Sequence, residues 1–411
     1  MATDLIWPLS ESTWGSEEIA AAVAILSSER VTMGTRVKEF EREFASYLGV
    51  KHAVMVNSGS SANLLAVAAL THKAINPLRR GDAAIVPALA WATTYTPLAQ
   101  HGIRLKVVDI NPETLNADLA TITTAITPRV RLIIAVSILG NPCAALPQLR
   151  ALCDARGILL LEDNCESLGA TLPANQIRGI NFRQQAWPTG TFGHIGTFSF
   201  FFSHHISTGE GGMLVTDDRE LADLARCLRA HGWVRDLAPD SPLFERWGRG
   251  DTDFAEAYRF LLPGYNLRPT ELAAAVGLIQ LRKLPAMIEA RRANALRFQR
   301  AFAEDDRFIL QRETGRSSWF GFTMILGEKY RTLENREQAF AAMRSTGIEF
   351  RPITGGNFGE HPVEQHYNWI GSTTNPHTST VHNFGWFVGN HARDLTKEIA
   401  VLKHAFDGII K

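Results

Sequence analysis

Short apolar segments alternate with helical ones from about residue 20 to residue 285, and this alternation restricts the possible folds more than any other feature. Repeated strand–helix order predicts a mostly parallel sheet, because parallel neighbours need a crossover connection, which is usually a helix. The predicted strands are mostly apolar, as expected when helices cover both faces of a sheet. They are His52–Asn57, Ala83–Pro87, Leu105–Asp109, Leu132–Val136 and Ile158–Glu162.

The second half of the chain departs from this alternation. Two further strands, Thr197–Phe202 and Met213–Thr216, are predicted on either side of a glycine-rich turn. A helical pattern then runs from Glu271 to Phe302, with an interruption expected near Pro285. We therefore predict a large α/β domain over residues 1–285 and a smaller α+β domain over residues 286–411, with loops concentrated between Gly355 and Gly389.

Composition argues against several kinds of partner. Basic and acidic residues number 42 each, so neither a nucleic acid nor a membrane surface is expected as a partner. The strongest apolar run, Leu132–Leu139, is too short to cross a bilayer, and residues 1–10 lack the pattern of a signal peptide, so a cytoplasmic location is expected. The cysteines form no CxxC pair and no cluster, which predicts neither a metal site nor an iron–sulfur cluster; they are Cys143, Cys153, Cys165 and Cys227.

A turn rich in serine and glycine, Asn57–Asn63, joins a predicted strand to a predicted helix. A helix N-terminus presents free N–H groups and the positive end of the helix dipole, so it attracts anions such as phosphate. The serine hydroxyls add further donors. An ordinary helix cap is the alternative interpretation of the same residues.

Asp163 follows a buried strand, at the end where open α/β sheets bind ligands. A carboxylate in this place is able to pair with a protonated pyridine nitrogen and keep the ring an electron acceptor. The alternative is an aspartate that caps the next turn.

The segment Gly196–Gly212 contains a run of aromatic residues, the pair His204 and His205, and the glycine-rich turn. Two neighbouring histidines suggest half of a metal site. However, adjacent residues on a strand point to opposite faces, and no carboxylate or cysteine at suitable spacing completes the set of ligands. No metal is therefore predicted here.

These segments and their order resemble the fold-type I, pyridoxal phosphate-dependent sugar aminotransferases of the DegT/DnrJ/EryC1/StrS family. The resemblance runs from about Thr32 to Leu281 and is weaker beyond. It implies a mostly parallel mixed sheet sandwiched by helices, together with a smaller C-terminal α+β domain. The matching motifs are Met33-Gly34, Glu39–Glu41, Ser58–Ser60, Glu162-Asp163, Phe198–Phe200, Gly209–Gly212 and Gly264–Arg268.

A histidine stands where this family normally has its cofactor-binding lysine. In most members the residue six positions before the glutamate of the Gly209–Gly212 turn is that lysine, and here it is His204. No lysine occurs between Val107 and Arg282, so a shift in the alignment cannot supply one. The resemblance therefore implies a cofactor that is held without a covalent bond to the protein.

The histidine variant is similar to a branch of sugar 3-dehydratases that make 3,6-dideoxyhexoses. One type in this branch uses an iron–sulfur cluster and a reductase, whereas the other works alone with glutamate as amino donor, and the missing cysteine cluster favours the second. The resemblance implies pyridoxamine phosphate as cofactor and GDP-4-keto-6-deoxymannose as substrate, with CDP- and dTDP-sugars left open. The residues that carry this similarity are Ala90–Tyr95, Ser203–Ile206, Gly356–Phe358 and Phe387–His391.

The resemblance also implies roles for single residues. His204 is expected to be the base, and also the acid that helps the C3 hydroxyl leave, because an imidazole titrates near neutral pH. Asp163 is expected to hold the pyridinium nitrogen, Trp91 to stack on the ring, and Glu166 to contact either the ring's O3′ or the substrate. The phosphate is expected to bind Gly59, Ser60, Ser199 and, from the neighbouring subunit of a homodimer with shared active sites, Asn266.

Three further residues, His231, Glu349 and Arg351, fall where the family lines its sugar or glutamate pocket. An arginine is able to bind a glutamate carboxylate or a diphosphate through two parallel hydrogen bonds. For each of the three, a plain surface or ion-pair role is the alternative.

Two other functions stay open at this point. The first is a sugar aminotransferase that has recruited an unusual amine, which would leave a reduced cofactor attached to a lysine after borohydride treatment. The second is a non-catalytic relative that binds a nucleotide sugar, which would lose the cofactor's absorbance on purification. The joint presence of Asp163, Ser199 and the glycine-rich turn argues against the second.

Overall fold

The computed structural model of this chain describes residues 5–28, 30–173, 186–371 and 374–410. In the first half the helices and strands are α1 Ser16–Ser27, α2 Thr35–Leu48, β1 His52–Val56, α3 Gly59–His72, β2 Ala83–Pro87, α4 Ala92–Gln100, β3 Arg104–Val108, α5 Leu119–Ala125, β4 Val130–Val136, α6 Leu146–Arg156, β5 Leu159–Asp163, β6 Thr171–Pro173, β7 Ala186–Pro188 and β8 Ile195–Ser199. They continue with β9 Gly212–Thr216, α7 Arg219–Arg229, α8 Pro242–Trp247, α9 Asp253–Ala257, α10 Glu271–Phe302, β10 Phe308–Ile309, β11 Gly321–Leu326, α11 Leu333–Ser345, β12 Phe350–Arg351, α12 Pro376–Phe384, β13 Gly385–Gly389 and α13 Thr396–Ala405.

The large sheet has seven strands in the order β1-β9-β8-β5-β4-β2-β3. The strands from β8 to β3 run parallel to their neighbours, while β9 is antiparallel to both β8 and β1. The prediction of a mostly parallel mixed sheet is therefore confirmed. Its parallel part coincides with the region where the strand–helix alternation is most regular.

Side chains alternate between two apolar layers along each strand of this sheet. In β1, Val54 and Val56 enter one core together with residues of α3, α4 and α7. The intervening Ala53 and Met55 enter a core on the other face, with residues of α2 and α10. Because most residues of these strands are buried on one side or the other, the apolar strands found in the sequence follow directly from helices on both faces.

A smaller antiparallel sheet, in the order β10-β11-β13-β12, forms the C-terminal part of the chain. It packs with α11, α13 and the end of α10 around a separate apolar core that also encloses Trp7. The segment expected to be mostly loop, between Gly355 and Gly389, contains short 3-10 turns but also α12 and β13. Its apolar residues Trp386 and Val388 are buried in β13, which explains why this part is ordered into a strand.

The predicted interruption of the long helix at Pro285 is wrong, since α10 continues through it as one helix. Proline removes a single backbone hydrogen bond from a helix. Leu284 and Ile288 on either side are buried in the core of the large sheet, and this burial stabilises the uninterrupted helix. The helix crosses the predicted boundary between residues 285 and 286, and the division into two domains stays a prediction.

No helix in the four described ranges is both long enough and apolar enough to cross a membrane.

Candidate functional site

A cavity of about 540 Å³ opens at the carboxyl ends of three neighbouring parallel strands. The last residues of β4, β5 and β8, which are Val136, Asp163 and Ser199, all line it. This edge is where open α/β sheets bind their ligands. Eight of the residues predicted from the sequence line this one cavity: Gly59, Ser60, Trp91, Asp163, Glu166, Ser199, His204 and Arg351.

The N-terminus of α3 forms one end of the cavity. Ser58 caps the helix, accepting a hydrogen bond at Oγ from the Ser61 N–H at 3.0 Å, and the N–H groups of the first turn have no intrahelical acceptor. A Cβ atom on Gly59 would lie 2.5 Å from the Cβ of Ser199, so only glycine permits this approach of helix and strand. The Ser60 hydroxyl donates to Thr93 Oγ1 at 3.0 Å. Hydroxyl groups from two helices and one strand thus converge beside a positive helix end.

The carboxylate of Asp163 is buried and fixed in orientation by neutral groups. Its Oδ2 accepts hydrogen bonds from Asn63 Nδ2 at 2.8 Å and from Thr94 Oγ1 at 2.7 Å. Thr197 Oγ1 in turn donates to Asn63 Oδ1 at 2.6 Å and holds the amide in this orientation. Within the described part of the chain, Asp163 has no cationic partner. This buried carboxylate therefore suits a ligand that carries a positive charge.

Asn63 and Thr94 were not predicted as site residues. Asn63 lies four residues after Gly59, on the same face of α3, and Thr94 belongs to the Ala90–Tyr95 motif. The helical spacing was the only available signal for Asn63. That both side chains meet one carboxylate depends on how α3 and α4 pack beside β5, which is a tertiary property.

Glu166 lies on the cavity wall with its carboxyl group largely removed from water. Its Oε2 accepts a hydrogen bond from the Leu139 N–H at 2.9 Å. Burial raises the pKa of Glu166 to about 7, because desolvation penalises the charged form. Near neutral pH a large share of Glu166 is therefore a neutral acid that can donate a hydrogen bond.

His204 lies in a turn rather than on a strand, because β8 ends at Ser199 and not at Phe202 as predicted. The chain then folds back on itself, and the His204 N–H donates to the Phe201 carbonyl at 2.9 Å. The imidazole lines the cavity, with its ring 5.1 Å from the ring of Phe320 in an edge-on arrangement. The Ser203 hydroxyl lies 3.4 Å from its Nδ1.

The expectation that His204 titrates near neutral pH is not met. Burial, and in second place the positive charge of Arg291, lower the pKa of His204 to about 3. The imidazole is therefore neutral at physiological pH and able to accept a proton, while its protonated form is a much stronger acid than an ordinary imidazolium.

His205 points away from His204 into the protein interior. It is only 1% exposed, and its Nε2 lies 3.1 Å from the Ser318 carbonyl oxygen. Among the residues that the structure describes, no three His, Cys, Asp or Glu side chains form a group that would hold a metal ion. All four cysteines are free thiols, and Cys165, which lines the cavity, is the least buried of them.

Three predicted residues do not line the cavity. His231 is exposed, with its N–H donating to the Tyr265 carbonyl at 2.6 Å. Asn266 is exposed on the adjacent strand-like segment and accepts at Oδ1 from Arg268 Nε at 3.0 Å. Glu349 precedes Arg351 by two residues and forms an ion pair with it at 2.5 Å. Their functional roles stay predictions.

The lining of this cavity fits the cofactor that the sequence resemblance implies. The hydroxyl groups and free N–H groups at the start of α3 match a phosphate, and the buried Asp163 matches a protonated ring nitrogen. Trp91 stands at the mouth with 59% of its surface exposed, which leaves its ring available for stacking. No lysine is among the residues that line the cavity.

Comparisons with known proteins agree with this site. The model of the DegT/DnrJ/EryC1/StrS aminotransferase family matches residues 12–391. The GDP-4-keto-6-deoxy-D-mannose 3-dehydratase of Yersinia pseudotuberculosis is 43% identical over 396 residues, which are 96% of this chain and 96% of the relative. The E. coli GDP-4-keto-6-deoxy-D-mannose-3-dehydratase with bound hydrated PLP is similar in structure, with a TM-score of 0.91, 42% identity and full coverage of both chains. A structure of GDP-4-keto-6-deoxymannose-3-dehydratase with a trapped PLP-glutamate geminal diamine has a TM-score of 0.90 and 42% identity, covering 98% of this chain and 100% of that one.

Proposed function

This chain belongs to the DegT/DnrJ/EryC1/StrS aminotransferase family, and on that basis we propose that it is a pyridoxal phosphate-dependent sugar 3-dehydratase. It removes the C3 hydroxyl of a nucleotide-linked 4-keto-6-deoxyhexose, GDP-4-keto-6-deoxymannose, in the biosynthesis of a dideoxysugar of the colitose type. The observation that carries this proposal is His204, which lines a cavity that keeps the cofactor-binding features of the family but has no lysine. The similarity to two dehydratases at 42% and 43% identity supports it.

The protein's task towards the cofactor is to hold it without a covalent bond. Pyridoxamine phosphate, when bound, supplies an amine for the C4 ketone of the sugar and a ring that accepts electrons. Asp163 keeps a positive charge on the ring nitrogen, and Gly59, Ser60 and Ser199 bind the phosphate. Trp91 covers one face of the ring, and Glu166, as a neutral acid, donates a hydrogen bond to the ring's O3′ or to the sugar.

His204 moves the proton on which the loss of the C3 hydroxyl depends. As a neutral imidazole it would take up the proton lost from the C4′ carbon of the bound cofactor, and its strongly acidic conjugate form would then deliver a proton to the departing C3 hydroxyl oxygen. A histidine cannot form the covalent bond that a lysine forms with the aldehyde of the cofactor. The site is thereby directed to dehydration and away from ordinary transamination.

Glutamate would be the amino donor for the bound cofactor, and both glutamate and the nucleotide sugar would bring negative charges into the cavity. Among the lining residues of the described chain, Arg351 carries the permanent positive charge. Its guanidinium is half exposed and is shared with Glu349, so it is able to turn towards an incoming anion. It binds either a glutamate carboxylate or the sugar's diphosphate. Replacement of Arg351 is expected to raise the Michaelis constant for glutamate in the first case and that for the nucleotide sugar in the second.

Asn266 contributes to the site from a neighbouring subunit, so that the working enzyme is a homodimer. Two neighbouring apolar side chains support this arrangement: Phe201, which lines the cavity, and Phe202 are each more than 40% exposed. Mixing two inactive variants, His204→Asn and Asn266→Ala, is expected to restore about a quarter of the activity per site, because one site of each mixed dimer is intact. Separate sites in each subunit would give no recovery. Neither variant alone, taken through the same mixing procedure, is expected to recover activity.

The proposed activity is tested with purified protein, pyridoxamine phosphate and glutamate, supplied with a panel of GDP-, CDP- and dTDP-linked 4-keto-6-deoxyhexoses. We expect ammonia release together with a sugar product that has lost one oxygen, measured by mass spectrometry, with the GDP-sugar preferred. A product that has gained an amino group would instead identify an aminotransferase.

We also place the enzyme in the cytoplasm, because its four cysteines are unpaired. Recovery of the protein in another cell fraction would contradict this location.

A further inference from the structure

Arg291 is a buried arginine without a counterion. It lies on α10 beneath the cavity wall and is 3% exposed. Its Nη1 donates to the carbonyl oxygens of Asn390 at 2.5 Å and Phe320 at 3.3 Å, and its Nε has no partner in the described structure. No described aspartate or glutamate lies within ion-pair distance of it. A buried charge without a partner is costly, so its retention calls for an explanation.

The next residue on the helix shows the ordinary arrangement. Arg292 is part-buried and forms an ion pair with Glu289 at 2.7 Å, in addition to its hydrogen bond to the Ser317 carbonyl. Within the described structure, the charge of Arg292 is thus neutralised and that of Arg291 is not. A variant at Arg292 therefore serves as a matched control for the effect of removing the charge of Arg291.

Arg291 supports the wall against which His204 packs. The backbone carbonyl that it holds belongs to Phe320, whose ring meets the His204 ring edge-on at 5.1 Å and the His205 ring at 5.9 Å. His205 is tied to the same segment through the Ser318 carbonyl. One guanidinium therefore holds together the Phe320 wall and Asn390, next to the turn that carries both histidines.

Charged groups face His204 from several elements. Asp163 and Glu166 lie at and after the end of β5, Glu210 lies in the glycine-rich turn, and Arg351 lies in β12, paired with Glu349. From the other side come Arg291 and Arg292 of α10, with His205 and His391 nearby. Of these, the positive charge of Arg291 is the one that acts on the His204 titration, after burial, and it also lowers the pKa of His205.

We propose that Arg291 is a positioning residue for the dehydratase reaction, which fixes the Phe320 wall against the His204 ring and places a positive charge without a described counterion behind that wall. This inference rests on the proposed function. The charge makes the protonated imidazole unfavourable, so the proton that His204 accepts is passed on readily to the leaving hydroxyl. A neutral residue in this position would leave a histidine with a higher pKa, which holds its proton longer.

The proposal is tested on the apo protein with 15N-labelled histidine, by following ring nitrogen chemical shifts against pH. The His204 signals are assigned by their absence in His204→Asn. In the parent protein we expect His204 to stay neutral to the lowest pH at which the fold persists. In Arg291→Gln we expect its pKa to rise by about one unit or more, into the folded range. In Arg292→Gln, which removes a neutralised charge, we expect no such rise.

Dehydration by the same variants gives the second measurement. In Arg291→Gln the acidic limb of the kcat/KM profile is expected to move to higher pH, whereas a purely structural role would lower the rate without moving the limb. An unchanged His204 titration in Arg291→Gln, or an equal rise in Arg292→Gln, would overturn the proposal. If Arg291→Gln does not fold, Arg292→Gln carries the test, since a raised His204 pKa there would contradict a role that belongs to Arg291 alone. The titration needs no substrate, so it fails or succeeds independently of the proposed activity.

Discussion

Replacement of His204 by asparagine is expected to slow loss of the C3 hydroxyl by about 10²–10⁴-fold, the range that a general acid–base group contributes. Asparagine is similar in size and still forms hydrogen bonds, but it has no basic ring nitrogen that can accept and return a proton. Cofactor binding is expected to persist, because Asp163 and the start of α3 are unchanged. The rate is followed by ammonia release, and binding by the absorbance of the cofactor.

Replacement of His204 by lysine tests whether dehydration requires the imidazole itself or only a basic side chain in this position. We expect His204→Lys to hold the cofactor covalently, so that borohydride reduction adds the mass of the reduced cofactor to the protein, and to lose dehydration. His404→Asn, at an exposed histidine on α13, is the control and is expected to behave as the parent. Full dehydration by either His204 variant would show that the imidazole does not have the role given to it.

Replacement of Asp163 by asparagine is expected to weaken cofactor binding by about 10²-fold or more and to abolish measurable dehydration. Removal of one member of a buried charge pair costs about 3–5 kcal/mol, and the ring nitrogen would lose the carboxylate that keeps it protonated. The affinity is measured by titrating apo protein with pyridoxal phosphate and with pyridoxamine phosphate.

The stability of the apo protein gives an independent reading of the same change. Asp163 is a buried carboxylate held by Asn63 and Thr94 but without a cation, so Asp163→Asn is not expected to lower the melting temperature of the apo protein. The rise in melting temperature on adding cofactor is expected to shrink, because it reports binding to the folded state. Asp154→Asn, at a partly exposed ion pair on α6, should change neither quantity. Undiminished cofactor stabilisation in Asp163→Asn would contradict the pairing with the ring nitrogen.

Local sequence was sufficient wherever a feature depends on residues close together in the chain. The apolar strands and intervening helices followed from periodicity, and the turn before α3 followed from its serines and glycines. Asp163 could be placed at the ligand-binding edge because it directly follows a buried strand, and such strands end at that edge in open sheets. The missing lysine could be read directly, since an absence over so long a stretch does not depend on alignment.

The sequence could not specify properties that arise from contacts between distant segments. The helix through Pro285 persists because its neighbours are buried, and burial is not visible in a local pattern. Strand β8 ends at Ser199 because the chain folds back towards the glycine-rich turn. Asn63 and Thr94 became site residues only once α3 and α4 had packed beside β5.

His204 illustrates the division most clearly. The sequence by itself determined which residue replaces the family's lysine, and it therefore determined that the cofactor is not bound through a lysine at this position. The tertiary structure alone decided the surroundings that lower the pKa of that residue, by largely removing the ring from water and by packing Arg291, 87 positions later in the chain, against the Phe320 wall that the ring contacts. A pKa depends on solvation and on charges in space, and neither is a property of neighbouring residues in the sequence.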